Sequence, residues 1–242
     1  MSVPSGDFVG VLLLDKPAGM TSHDVVDRVR RKLRMKRVGH AGTLDPAATG
    51  LMILLLGKAT KLSQYLMGLD KVYEGTGVFG PITTTQDAEG EILEEKPVPE
   101  IDEAVLKAVF EGYLGDQYQM PPMYSAKKVE GVPLYKLARK GKEVEREARV
   151  IRIKSFTLDR WESPEFDFTV DCTKGTYVRT LIHDLGLKLE SGAHLKDLRR
   201  TEIGRFLIED SLELDEFEGM ETAEIRSWII PPYQAVPSQV LS

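Results

Sequence analysis

Apolar and polar positions along the 242 residues recur with two different periods. Val9 to Leu14 form a short apolar run that ends at Asp15-Lys16-Pro17-Ala18-Gly19, which predicts a strand entering a turn. Val25, Val26, Val29 and Leu33 follow at helical spacing. Thr21 and Ser22 offer N-caps in front of them, and Asp24 stands three residues after Thr21, as in a capping box. Leu51 to Leu56 reads as a buried strand, Ala59 to Met67 as a short helix and Lys71 to Phe79 as a further strand. Ile101, Val105, Val109 and Tyr113 mark a helix, and Pro133 and Gly141 bracket another. Ile151 and Ile153 alternate with Arg152 and Lys154, and Phe166, Phe168, Val170 and Cys172 alternate with polar residues, so both stretches read as strands. Val178, Leu181, Ile182, Leu185 and Leu189 form the strongest helical pattern. Strands and helices interspersed in this way, without an internal repeat, predict a mixed α/β (α+β) fold.

Composition removes several classes of chemistry. One cysteine, Cys172, allows no internal disulfide framework and no cysteine-based zinc site. The four histidines, His23, His40, His183 and His194, never fall at metal-ligand spacing, so no metal is expected. Gly75, Gly77 and Gly80 fit the dinucleotide pattern, but Pro81 and three threonines follow where a helix would have to open. The longest apolar run, Leu51 to Leu56, falls far short of the roughly 20 residues needed to span a bilayer. Met1 to Asp7 shows no basic region leading into an apolar stretch, so a cytoplasmic protein without a signal peptide is expected.

Net charge is -6, which argues at first against a nucleic-acid partner. Its distribution argues the other way. Residues 87–103 carry -7 and residues 209–224 carry -8, which leaves +9 on the remainder. Arg28 to Arg37 holds seven bases and no acid, and Lys127 to Lys154 holds ten bases against four acids. Segregation of this kind suits one face to phosphates.

Two segments carry candidate chemistry. In His40-Ala-Gly-Thr-Leu-Asp45-Pro-Ala-Ala-Thr-Gly50 an isolated carboxylate stands among small residues that admit a bulky partner, although Asp45 could equally cap a turn. Lys174-Gly-Thr-Tyr177-Val-Arg179 sits at a strand-to-helix junction and offers an aromatic face with a guanidinium able to hold a carboxylate. Together with Asp15-Lys16-Pro17-Ala-Gly-Met-Thr-Ser22, Lys61-Leu-Ser-Gln-Tyr65 and Lys71-Val-Tyr73, these motifs resemble, in order and spacing, the bacterial tRNA pseudouridine synthases of the TruB type, from about Val9 to Phe206.

That resemblance implies the pseudouridine synthase fold, with a central mixed, largely antiparallel sheet flanked by helices and an RNA-gripping insertion at about 120–150. It implies a catalytic domain over 1–212 and a short tail over 213–242 without a complete PUA domain. In the tail, Trp228-Ile-Ile-Pro-Pro-Tyr233 reads as a linker remnant or a docked strand. The implied activity is conversion of uridine 55 in the tRNA T-loop to pseudouridine by base flipping, glycosidic cleavage and C–C rejoining, with no cofactor. The alternatives are the same chemistry on another RNA, or a tRNA-folding chaperone. By motif position, Asp45 is the implied catalytic carboxylate. His40, Tyr73, Tyr177, Arg179, Leu198 and Lys16 are the implied substrate contacts, and Arg30, Arg31, Arg34, Lys127 and Lys128 the implied contacts to RNA backbone. A monomer whose partner is the tRNA T-arm is expected.

Overall fold

The computed structural model describes residues 8–125, 128–129, 131–138, 140–142 and 144–241. Lys127 and the N-terminal segment 1–7, on which two of the expectations rest, lie outside the described residues, and Lys128 is described in its backbone alone. The chain forms two compact units, Met1–Val72 with Arg199–Ser242, and Tyr73–Leu198. The strands Lys71–Phe79 and Ala193–Ile203 each run from one unit into the other.

The first unit is built on the apolar run seen in the sequence. The strand Gly10–Lys16 pairs antiparallel with Thr49–Leu56 over seven register pairs, from Gly10↔Leu56 to Lys16↔Gly50. Val38–His40 adds to Thr49–Leu56 antiparallel, while Arg199 and Arg200 pair with it in parallel. Leu212 and Glu213 pair in parallel with Leu14 and Asp15. The helix Ser22–Leu33 buries Val25, Val26, Val29 and Leu33, the stripe its periodicity predicts. Its start follows the sequence too, because the Thr21 and Asp24 side chains each accept from the other's backbone N–H. The C-terminal segment contributes directly to this core. Leu214, Phe217, Ile225, Ala235 and Val236 are buried, and Ile230 exchanges backbone hydrogen bonds with Val11 in both directions, at 2.9 and 2.8 Å.

In the second unit the order is 193–198, 73–79, Glu165–Cys172, Arg149–Glu162, Gly115–Gln119. The last three strands pair antiparallel. Phe166, Phe168, Val170 and Cys172 face inward, as their alternation predicts. Their rings explain the glycine pattern. A Cβ added at Gly77 would lie 2.2 Å from the Phe166 ring, and one at Gly75 would lie 2.8 Å from the Phe168 ring. These glycines make room for aromatic packing inside a strand, which removes the dinucleotide reading on structural grounds as well.

One helical face differs from expectation. The helix Glu103–Glu111 buries Leu106 and Phe110, while Val105 is exposed. Steps of four residues advance about 40° beyond a full turn, so Ile101, Val105, Val109 and Tyr113 drift around the axis instead of sharing one face. Phe110 sets the orientation by stacking on Phe156, with ring centroids 4.0 Å apart.

The helix Val178–Lys188 carries a carboxyl that the fold holds at a cost. Burial pushes the Asp184 pKa up from 3.8 to about 6. Burial, with Asp184 as a second cause, pushes the Tyr113 hydroxyl up to about 12. Between the two Asp184 values the folded chain binds more protons than the unfolded chain, so stability falls as pH rises through that window. Asp184→Asn is therefore expected to stabilise the protein at pH 8 by about 1–2 kcal/mol, after discounting the full shift for partial exposure. The gain should vanish near pH 4. Denaturant unfolding at the two pH values checks this, and an equal effect at both would overturn it.

Candidate active site

The loop between the strands Val38–His40 and Thr49–Leu56 is fixed by side chains lying against it, on both sides of Asp45. On one side, the Ser22 hydroxyl accepts from the Leu44 N–H at 2.8 Å and donates to the Leu44 carbonyl at 3.1 Å. On the other, the Pro46 carbonyl accepts from the Gly19 N–H at 2.9 Å and from the Lys16 ammonium at 3.1 Å. Lys16 also donates to the Pro17 and Met20 carbonyls, at 2.8 and 2.9 Å. Asp45 itself is half-buried between these two anchored neighbours. Being followed by proline, it is biased toward extended backbone. The backbone on both sides of the carboxylate is pinned in this way.

Lys16 was expected among the substrate contacts. It is 0% exposed, and its ammonium is turned to backbone carbonyls, so what it offers is support for the turn at Pro46. Arg30, expected at RNA backbone, is half-buried. Its guanidinium donates to Asp27 at 2.9 Å and to the Val38 carbonyl at 2.8 Å, bracing the helix against the strand that leads to His40. Arg31 and Arg34 are exposed. Arg34 closes the helix in the left-handed conformation.

His40 is half-buried opposite Leu54. Burial is the main cause that holds its imidazole below the usual range, opposed by the Gly42 backbone and reinforced by the charge on Arg200. The ring is therefore biased to the neutral form, and this group's contribution to stability is lost as pH falls below the ordinary histidine value of about 6.5.

In the second unit, Tyr73 is buried on its strand, Leu198 is half-buried and Tyr177 is half-buried at the helix start. The Gln119 amide fixes the Tyr177 backbone twice, accepting from its N–H at 2.8 Å and donating to its carbonyl at 3.0 Å. Arg179 is 5% exposed. It donates to the Thr85 and Tyr124 carbonyls, at 2.7 and 2.9 Å, and lies 3.5 Å from the Asp87 carboxylate. It therefore ties both segments to the start of the helix. Part of the acidic run 87–103 is in this way a structural counter-charge.

Three contributors escaped the sequence reading in their actual roles. Ser22 was taken as a cap and in addition grips Leu44. Gln119 and Arg200 carry no local signal, because both act on backbone groups distant in sequence. Among the described residues no cluster of histidine, cysteine and carboxylate side chains could hold a metal ion, and no helix is long and apolar enough to cross a membrane.

With this geometry in place, the chain can be compared with known proteins. The family model of the TruB family pseudouridylate synthase N-terminal domain matches residues 30–178, and that of the tRNA pseudouridylate synthase B C-terminal domain matches residues 179–236. A protein of Opitutus terrae named tRNA pseudouridine synthase B is 61% identical over 240 residues, covering 99% of this chain and 100% of its own. Among solved structures, a Cbf5–Nop10–Gar1 complex aligns with a TM-score of 0.73 at 29% identity, over 94% of this chain and 61% of that one. The chain thus spans about three fifths of that protein. An H/ACA RNP bound to a substrate RNA containing 2′-deoxyuridine aligns with a TM-score of 0.69 at 26% identity, over 98% of this chain and 67% of the other.

Proposed function

The chain belongs to the TruB family of pseudouridylate synthases, a family of isomerases, and from that premise we propose that it converts uridine 55 in the T-loop of tRNA to pseudouridine. The N-glycosidic bond breaks, the uracil turns, and C5 joins C1′, so no atom is gained or lost and no cofactor is called for. The observation that carries the reading is Asp45, half-buried and held between Leu44 and Pro46 by Ser22, Gly19 and Lys16. An ionised carboxylate on such a mount serves either role open to it, attack on C1′ or proton abstraction from C2′. Pinning its backbone removes part of the orientational freedom that the reaction would otherwise have to overcome.

The target uridine must leave its stack first, at a cost of a few kcal/mol. An aromatic face offsets about 1–3 kcal/mol of that. Tyr73 is assigned to stack on the extruded base, Tyr177 to wall it, and Leu198 to make apolar contact. A neutral His40 suits the place in the stack that the base vacates. Arg179 orients the site, with its guanidinium already anchored on two carbonyls. Arg31 and Arg34, together with Lys127 and Lys128 in the insertion, are assigned to T-arm phosphates. Lys16 and Arg30 support the loop and helix from within. The protein is proposed to act as a cytoplasmic monomer on tRNA.

Mapping pseudouridine after incubation with tRNA transcripts that contain or lack the T-loop uridine tests this. Modification of the first transcript alone is the expected result. Modification elsewhere would transfer the chemistry to another RNA site, and none would leave a tRNA-folding chaperone as the better reading.

A further inference from the structure

We propose that Arg200 is a positioning residue for the isomerisation, holding the segment from His40 to Asp45 in its reactive conformation; this rests on the reading of Asp45 given above. Arg200 is 1% exposed. Withdrawing a guanidinium from water is unfavourable unless its N–H groups find acceptors. Here the acceptors are all backbone carbonyls. Nε donates to Leu51 at 2.8 Å, Nη2 to Gly42 at 3.2 Å and Nη1 to Thr43 at 3.4 Å.

Gly42 and Thr43 stand where the chain enters the loop, and Leu51 stands just after its exit. One planar fork therefore ties the two ends of the Asp45 loop together, a geometry that lysine, with a single point of donation, reproduces only in part. A glycine with positive φ stands at each end of the loop. Gly50 has φ +105°, and an added Cβ would meet the Arg200 carbonyl oxygen at 2.3 Å. Gly42 has φ +108°, and an added Cβ would lie 3.5 Å from Arg200 Nη1. Positive φ favours glycine at both positions, and close approach by the Arg200 backbone adds to this at Gly50. An apolar side chain of similar volume would fill the space and leave the Gly42, Thr43 and Leu51 carbonyls without this donor. Meanwhile Arg200 stays paired through its backbone opposite Gly50, so the strand does not depend on the guanidinium for its register.

The test measures Arg200→Met and Arg200→Lys in the full chain, under single turnover with a tRNA transcript, beside Asp45→Asn. Folding is followed by circular dichroism and RNA affinity by filter binding. Arg200→Met is expected to lower the rate at saturating enzyme by about 100-fold or more while the Kd for RNA stays within threefold, and Arg200→Lys should recover at least tenfold of that loss. A folded Arg200→Met variant with a rate within threefold of the parent overturns the proposal, and so does a Kd that rises as far as the rate falls. If Arg200→Met does not fold, Arg200→Lys decides: a rate loss of about tenfold at unchanged Kd supports the assignment, and an unchanged rate ends it. Failure of both variants to fold makes Arg200 a stability residue and overturns the proposal. Asp45→Asn separates the two levels of the argument. If it remains active, the reading of the site itself fails; if it is inactive while Arg200→Met is active, only the role of Arg200 fails.

Discussion

Replacing Asp45 with asparagine is expected to reduce pseudouridine formation by more than about 10³-fold, while the Kd for tRNA changes by no more than several-fold. The substitution keeps shape and removes charge. An amide can neither attack C1′ nor take a proton from C2′, so the loss is the same whichever role the carboxylate plays. Binding should survive because the loop is held through the neighbours of Asp45, by Ser22 on Leu44 and by Gly19 and Lys16 on Pro46. Removing one negative charge does not weaken attraction to a polyanion. Single-turnover pseudouridine mapping and filter binding on the same variant provide both numbers. A substantial residual rate would refute the assignment of Asp45, and binding lost in parallel would turn it into a structural residue.

RNA affinity is expected to fall about 10²–10³-fold between 50 and 200 mM salt, the range set by counterion release from roughly five phosphate contacts. The structure narrows which cations supply this. Arg28 lies 3.1 Å from the Glu218 carboxylate, Lys32 donates to the Glu218 carbonyl, and Arg30 is held by Asp27 and Val38. Arg31 and Arg34 remain exposed on the same helix end. Reversing both to glutamate should weaken binding and lower the slope of log affinity against log salt by about two. Affinity that stays flat over this range would sink the electrostatic part of the proposed function.

The same ion pairs revise the meaning of the acidic segments. In the sequence, 87–103 and 209–224 are excesses to be set aside before a positive remainder emerges. In the structure, Asp87 stands beside the buried Arg179, and Glu218 stands beside the basic helix. Some of the acid thus places base, either by holding a guanidinium inside or by selecting which arginines are left outward.

Legibility in the sequence followed locality. The capping box at Thr21 and Asp24, the buried stripe Val25, Val26, Val29 and Leu33, and the alternation from Phe166 to Cys172 were all readable, because each depends on neighbours within a turn or two. The strand Ala193–Ile203 was not recognised as one. Its buried positions, Ala193, Leu195, Arg200 and Ile203, follow no clean alternation, and one of them is a charge. The C-terminal segment looked like a tail because its acids dominate its composition, yet Phe217 and Ile225 are buried.

By itself, then, the sequence determined the mixed α/β class, most of the elements and the motif that carries Asp45, since periodicity and short motifs are properties of contiguous residues. Tertiary structure alone decided what surrounds that motif. Lys16, expected at the substrate, is buried on backbone carbonyls, and Arg30, expected at RNA backbone, is half-buried on Asp27 and Val38; Arg179 and Arg200 are buried as well. The physical reason is common to the three that are buried, Lys16, Arg179 and Arg200. Whether a charge can leave water depends on whether enough acceptors converge on it, and here those acceptors include backbone carbonyls that folding brings together from distant parts of the chain.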